Sequence, residues 1–320
     1  MNRGANVRRG LVVAVQAAVS ISLLAWLATQ TDFLRDVGRV WDSSDPWWLG
    51  GGLVLAGVVQ GLCLWRWRIF LKASGLRVGF REACGIYLAG TFAGLFLPGG
   101  AGGDVVKVAM LGARRYDTGR AALSVIMDRL CGSVSMILVG SVLILWHREW
   151  LSRSPAVATM MNGVLIYLVV LAAGIALTFV LATRSGKLPK GWPLRDRFVD
   201  VANAFVRGVL DWRLSVLAVA VSCVMLVLYF LTFFFSARAC GLGLPAGDFL
   251  ALMPAVDILS GLPVSLGGFG VREATFHFLL GDLAGVPSGE AVAVSLTGYV
   301  LSALWAVPGG ILWMWRSKKS

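Results

Sequence analysis

Six stretches of the chain keep an almost unbroken apolar character for about 20 residues, the length a helix needs to cross the hydrocarbon of a bilayer. They fall at 11–29, 47–65, 121–146, 160–183, 214–237 and 290–315. Two further stretches, 80–112 and 247–281, are equally apolar but are broken by glycine and proline. Polar residues collect in the short connections between these segments. The pattern predicts an all-α, polytopic membrane bundle with six spans and two broken helical hairpins. One connection has a pattern of its own. From Trp192 to Trp212, the residues Leu194, Phe198, Val201, Phe205, Val209 and Trp212 recur every three or four positions, with Arg195, Arg197, Asp200 and Arg207 on other faces. This spacing predicts an amphipathic helix over about 192–212, lying on the cytoplasmic surface of the membrane or packed on the protein.

Composition agrees with the pattern. Of 320 residues, 58% are hydrophobic and 14% charged, and the mean hydropathy is +0.78. The spans and their connections use up nearly the whole chain, so residues 1–320 read as one membrane domain with no soluble catalytic domain. Three Arg precede the first apolar stretch, as in a signal peptide. That stretch is longer than a signal core and more spans follow it, so it reads as a retained first helix.

A net charge of +12 would suggest nucleic acid in a soluble protein. Its distribution gives another reason. The N-terminus (Arg3, Arg8, Arg9), the connections at 66–81, 107–120 and 184–213, and the C-terminus (Arg316, Lys318, Lys319) are rich in cations. The connections after the first, third and fifth spans are poor in them. Positive loops face the cytoplasm, so both termini are expected inside a bacterial-type cytoplasmic (inner) membrane, and no nucleic-acid partner is expected. The alternation holds only if each broken stretch returns to the side it left, as a re-entrant hairpin or as two helices that both cross.

Most of the 13 Trp flank apolar runs, among them Trp47, Trp48, Trp65, Trp67, Trp146, Trp150, Trp313 and Trp315, as headgroup-level anchors do. The five Cys form no close pair, and His147 and His277 stand far apart. Neither a metal site nor a cofactor is expected. No nucleophile elbow, Walker loop or other catalytic constellation is visible, so the chain reads as a non-enzyme.

The two broken stretches resemble each other. Leu97-Pro98 and Leu262-Pro263 are each followed by three residues, then a Gly pair (Gly102-Gly103 and Gly267-Gly268), then a cation nine positions after the Pro (Lys107 and Arg272). The two prolines lie 165 positions apart, and the spans repeat at roughly the same offset. Each half, about 10–146 and about 160–315, reads as span, span, broken hairpin, span. An odd number of crossings inverts the second half relative to the first. Inverted repeats with discontinuous helices are a transporter signature, with the site near the midplane where the breaks meet.

The residues around the breaks carry the candidate chemistry. A helix starting after each Gly pair would point its positive end into the break, and Lys107 and Arg272 lie about one turn further on. Dipole ends and cations together suit an anion such as a lipid phosphate. Asp104 and Glu273 flank those cations, as ion partners or as proton carriers. Asp128 and Arg129 lie inside the third span, about 12 Å from its cytoplasmic end. Arg129 is expected either to meet a hairpin residue such as Asp104 or to snorkel to the headgroups. Asp257 stands alone in an apolar run, where an ionisable group is a site candidate. Gln60, Tyr87 and Tyr299 are weaker candidates.

The segments Leu97-Pro-Gly-Gly-Ala-Gly-Gly-Asp104-Val-Val-Lys107, Met127-Asp128-Arg129-Leu130 and Leu262-Pro-Val-Ser-Leu-Gly-Gly-Phe-Gly-Val-Arg272-Glu273-Ala274 resemble the lysylphosphatidylglycerol synthase transmembrane-region family, also called flippase-like domain proteins. The resemblance covers essentially the whole chain. In two-part members, this module resembles the lipid-flipping half, while a soluble half transfers lysine to phosphatidylglycerol. The chain stops five residues after Trp315, so the resemblance implies a stand-alone, flippase-like protein rather than an aminoacyl transferase. Family hairpins commonly have Arg where this chain has Lys107, which keeps the charge but loses the bidentate fork. The expected function is movement of an anionic phospholipid or related lipid between leaflets. The alternatives are an accessory subunit partnered by a lipid-synthesis enzyme, or an enzyme acting on lipid headgroups.

Overall fold

The computed structural model describes residues 33–97, 102–183, 212–265 and 267–311, together with Gln16, 18–23 and 25–27 of the first span. The helix expected over 192–212 lies outside these residues, save for Trp212, as do Pro98 and the end of the sixth span. Every described element is a helix: α1 (Phe33–Asp42), α2 (Pro46–Ala73), α3 (Phe80–Phe96), α4 (Gly102–Ala113), α5 (Thr118–Trp146), α6 (Arg148–Leu151), α7 (Pro155–Thr183), α8 (Trp212–Ala239), α9 (Ala246–Gly261), α10 (Val271–Ala284) and α11 (Ser288–Leu304). Pro46–Ala73, Thr118–Trp146, Pro155–Val180 and Arg213–Ala239 are long and apolar enough to cross a membrane.

Local chemistry sets the helix ends. Pro46 opens α2, where its missing N–H costs nothing, and the Asp45 carboxylate accepts from the Trp47 amide at 2.9 Å. Asp117 caps α5 in the same way, accepting from the Arg120 amide at 2.7 Å. Gly285, at φ 64°, closes α10 in the left-handed conformation, which glycine adopts without a Cβ clash.

Three departures from the sequence pattern have local causes. First, α2 runs to Ala73 rather than ending near 65. No breaker precedes Gly75, and the apolar stems of long cations let them ride on a helix. Second, the sixth span is broken: α11 ends at Leu304 and helix resumes over 307–311. Pro308 has no amide to offer, and its ring clashes with the carbonyl four residues back, at Leu304. Third, the connection after the first span contains α1, which the Trp41 indole fastens to Thr297 on α11 at 2.9 Å.

The broken stretches are helical hairpins with short arms. The 17 residues of α3 and 12 of α4 reach about 26 and about 18 Å. The 16 residues of α9 and 14 of α10 reach about 24 and about 21 Å. No arm alone covers the roughly 30 Å of hydrocarbon. The first hairpin closes tightly because Gly90, Gly94 and Gly103 leave no side chains between α3 and α4. A Cβ on Gly103 would stand 2.3 Å from the Gly90 carbonyl oxygen.

The helix α5 is central, packing against α2, α4, α7, α8 and α9. On one side, α2, α3, α4 and α5 enclose Trp67, Leu71, Ile86 and Leu111. On the other, α5 and α7 to α11 bury Phe230, Phe233, Phe249 and Phe276. The outer face of α7 stays apolar and open, with Ile166, Val169 and Val170 each more than 60% exposed, as suits a lipid-facing surface.

The termini cross over to the opposite hairpins. Gln16 donates to the Pro263 carbonyl at 2.8 Å, and a Cβ on Gly270 would stand 2.8 Å from Leu23. Near the other end, Gly309 lies flat on α3, where a Cβ would stand 2.1 Å from the Leu88 carbonyl oxygen. The first span thus braces the second hairpin, and the segment after α11 braces the first.

Candidate functional site

A cavity of about 520 Å³ opens among α2, α3, α4, α5, α7, α8 and α9. Six acidic or basic side chains line it: Arg66, Asp104, Lys107, Asp128, Arg129 and Asp257. An ionisable residue at membrane depth costs about 2.5–3.5 kcal/mol on insertion scales. Six of them converge here from four helices, which makes this cavity the candidate site.

The first hairpin supplies Asp104 and Lys107, one turn apart on α4. The Lys107 ammonium lies 3.1 Å from Asp104 Oδ1, and the Arg129 guanidinium of α5 lies 2.5 Å from Asp104 Oδ2. The Arg129–Asp104 pair expected from the sequence is therefore present. Lys107 also faces the Tyr87 ring, 4.7 Å from its centroid, and the Trp67 ring at 5.5 Å. These aromatic faces favour the cation where water is scarce. The Tyr87 hydroxyl donates to Gln60 Oε1 at 2.9 Å, so two of the weaker candidates brace each other in the cavity wall.

Asp128 turns to a partner the sequence did not suggest. Arg66 Nε lies 2.7 Å from Asp128 Oδ1, and its Nη1 donates to Ser222 Oγ at 2.9 Å. By charge pattern alone, Arg66 belongs with the cations of the 66–81 connection. The available signal was the unbroken helical run Leu64-Trp-Arg-Trp-Arg-Ile69, together with an intramembrane carboxylate that needed a counter-ion.

The second hairpin contributes through Asp257 on α9. Arg272 and Arg129 are the cations close enough to act on its charge, and the Tyr229 hydroxyl faces it. Arg272 and Glu273 do not themselves line the cavity. Arg272 Nη2 donates to the Gly267 carbonyl at 3.2 Å, and its guanidinium lies 4.7 Å from the Tyr299 ring centroid. Its Nη1 is buried without a hydrogen-bond partner among the described residues. Glu273 is fully buried. One of its oxygens accepts from the Gly270 amide at 2.7 Å and the other from the Ser295 hydroxyl at 2.8 Å.

These contacts revise the expected electrostatics. Asp104 and Glu273 stand in the first turns of α4 and α10, where a carboxylate already answers the helix dipole. The half-helix ends are thus partly compensated by their own chain. Glu273 caps its helix rather than pairing with Arg272. What remains for a ligand is a mixed-sign cavity with three cations and three carboxylates on its wall.

The second glycine turn comes up against the first hairpin. A Cβ on Gly267 would meet the Leu95 carbonyl oxygen of α3 at 3.6 Å. Gly267, Gly268 and Gly270 all have φ between 57° and 82°, and Gly268 is hemmed in by the Ser260 carbonyl and by Arg272. The turn at 267–270 therefore needs glycine both for its backbone and for space. No cluster of metal-ligating residues occurs among the described residues.

Residues 13–309 match the family described as Lysylphosphatidylglycerol synthase TM region. No curated protein matches the chain.

Proposed function

Because this chain belongs to the Lysylphosphatidylglycerol synthase TM region family, we propose that it is a flippase-like membrane protein that moves an anionic phospholipid or related lipid between leaflets. The observation that carries the reading is the charged cavity, in which α4 of one broken hairpin and α9 of the other share a wall. Charges are kept at membrane depth where they pair or line a wet path. The glycine turn of the second hairpin lies against Leu95 near the end of α3 in the first. In this reading the two halves form inverted repeats in a bacterial-type inner membrane, with both termini cytoplasmic. The headgroup occupies the cavity while the acyl chains remain in lipid. The chain then works by binding and movement rather than by making bonds, and its partner is the lipid itself.

The test is reconstitution of the purified protein in vesicles containing labelled lipids of several headgroups, scored for the one that changes leaflet. The double variant Lys107→Ala, Arg129→Ala, which removes two cations from the cavity wall, is expected to abolish movement while leaving insertion intact. Movement at the wild-type rate in that variant would remove the headgroup assignment. No movement of any lipid by the wild-type protein would remove the transport reading.

A further inference from the structure

The cavity does not stand alone. A larger, mainly apolar groove of about 1000 Å³ lies between α4 and α5. Its walls include Val105, Ala109, Ala122 and Ile126. Asp104, Arg129, Ser133 and Gly261 line the groove and the cavity alike. A continuous path therefore leads from an apolar cleft into a charged chamber, with the Arg129–Asp104 pair at the junction. Val105, on the groove wall, is 67% exposed, so the cleft opens toward the surrounding lipid.

Charged groups mark the inner end of this path. At the junction Asp104 pairs with both Lys107 and Arg129. Arg66 and Asp128 cancel each other deeper in, and Asp257 brings a carboxylate on the α9 side. Although its Nε is held at 2.5 Å by Asp104, the Arg129 side chain is still 59% exposed. An exposed guanidinium at the meeting of an apolar groove and a polar chamber fits a phosphodiester whose tail lies in the groove.

We propose that the groove between α4 and α5 is the lateral doorway of the site. It takes one acyl chain of a glycerophospholipid, while the phosphate sits at Arg129 and draws it from Asp104. The Arg129–Asp104 pair is then a latch that an anionic headgroup opens. This rests on the lipid-transport reading and adds to it a route and an order of contacts.

The test places a photo-crosslinking amino acid at Val105 or at Ile126, with a control at Ile166 on the outer face of α7. The full chain is reconstituted in vesicles of phosphatidylcholine with radiolabelled phosphatidylglycerol. The expected result is a severalfold excess of labelled adduct at the two groove positions over Ile166. That excess falls when Arg129→Gln is added, and it is absent when the labelled lipid is phosphatidylcholine. Equal labelling at all three positions, or an excess indifferent to headgroup, would overturn the doorway. The variant Val105→Trp, at a position with room for the ring outside the core, narrows the groove and is expected to slow transport. Unimpaired transport in a folded Val105→Trp protein would overturn the doorway yet leave the transport reading intact. A groove-specific, headgroup-dependent adduct without leaflet transfer would support the binding route and remove the transport reading.

Discussion

At the scale of single residues, the site is held by ion pairs whose halves come from different helices. The Arg66–Asp128 pair joins α2 to α5, and the two charges are nearly dry. Removing one partner of a buried pair strands the other charge, at a cost of about 3–5 kcal/mol. Asp128→Ala is therefore expected to lower the denaturation midpoint sharply in detergent. The joint replacement Arg66→Met, Asp128→Leu should recover most of that loss, as a thermal melt of both proteins can check. Glu273 offers a contrasting case. Its loss in Glu273→Ala removes a cap to the Gly270 amide and an acceptor for Ser295, a change of about 1–3 kcal/mol, with no direct effect on the cavity wall. Sequence was informative at this scale for carboxylates and weaker for their partners. Asp104, Asp128, Arg129 and Asp257 stand out because apolar runs surround them. Arg66 hid in plain view, because a cation beside two Trp near the end of an apolar run also fits a headgroup anchor.

At the scale of elements, the glycines decide how closely the hairpin arms approach. The crossing of α3 and α4 leaves no volume for a methyl group at Gly103, since the obstructing atom is backbone. Gly103→Ala should force the arms apart and cost about 1–3 kcal/mol, read as a lower melting temperature. It should also disturb the Asp104–Lys107 geometry, read as weaker lipid binding. The paired Leu-Pro and Gly-Gly signals made both hairpins legible before any coordinates, because a missing amide and a missing Cβ break a helix in any context. Element ends were less legible. The extension of α2 to Ala73 and the stop of α11 at Leu304 depend on one later residue each, Gly75 and Pro308, and apolar runs do not register such punctuation. The helix α1 was missed because its ten residues sit in a connection read only for its charge.

At the scale of the whole molecule, the proposed inverted arrangement of the two halves is a matter for labelling. In a protein cleared of its five native cysteines, a cysteine at Arg77 is expected to react with an impermeant maleimide only from the cytoplasmic side. A cysteine at Ser152 should react only from the opposite side. Reaction of both from one side would break the inverted arrangement. The bracing of each hairpin by the other half, through Gln16 and Gly270 at one end and Gly309 at the other, bears on how such a protein could work. Splitting the chain between α7 and α8 would give two fragments, each lacking the prop for its own hairpin and carrying the prop for its sibling's. Neither should be competent alone, but the two produced together should reassemble. In the intact chain the same lacing acts like crossed straps: a tilt of either hairpin tugs on the far edge of the opposite half, so the two tips are bound to move in concert.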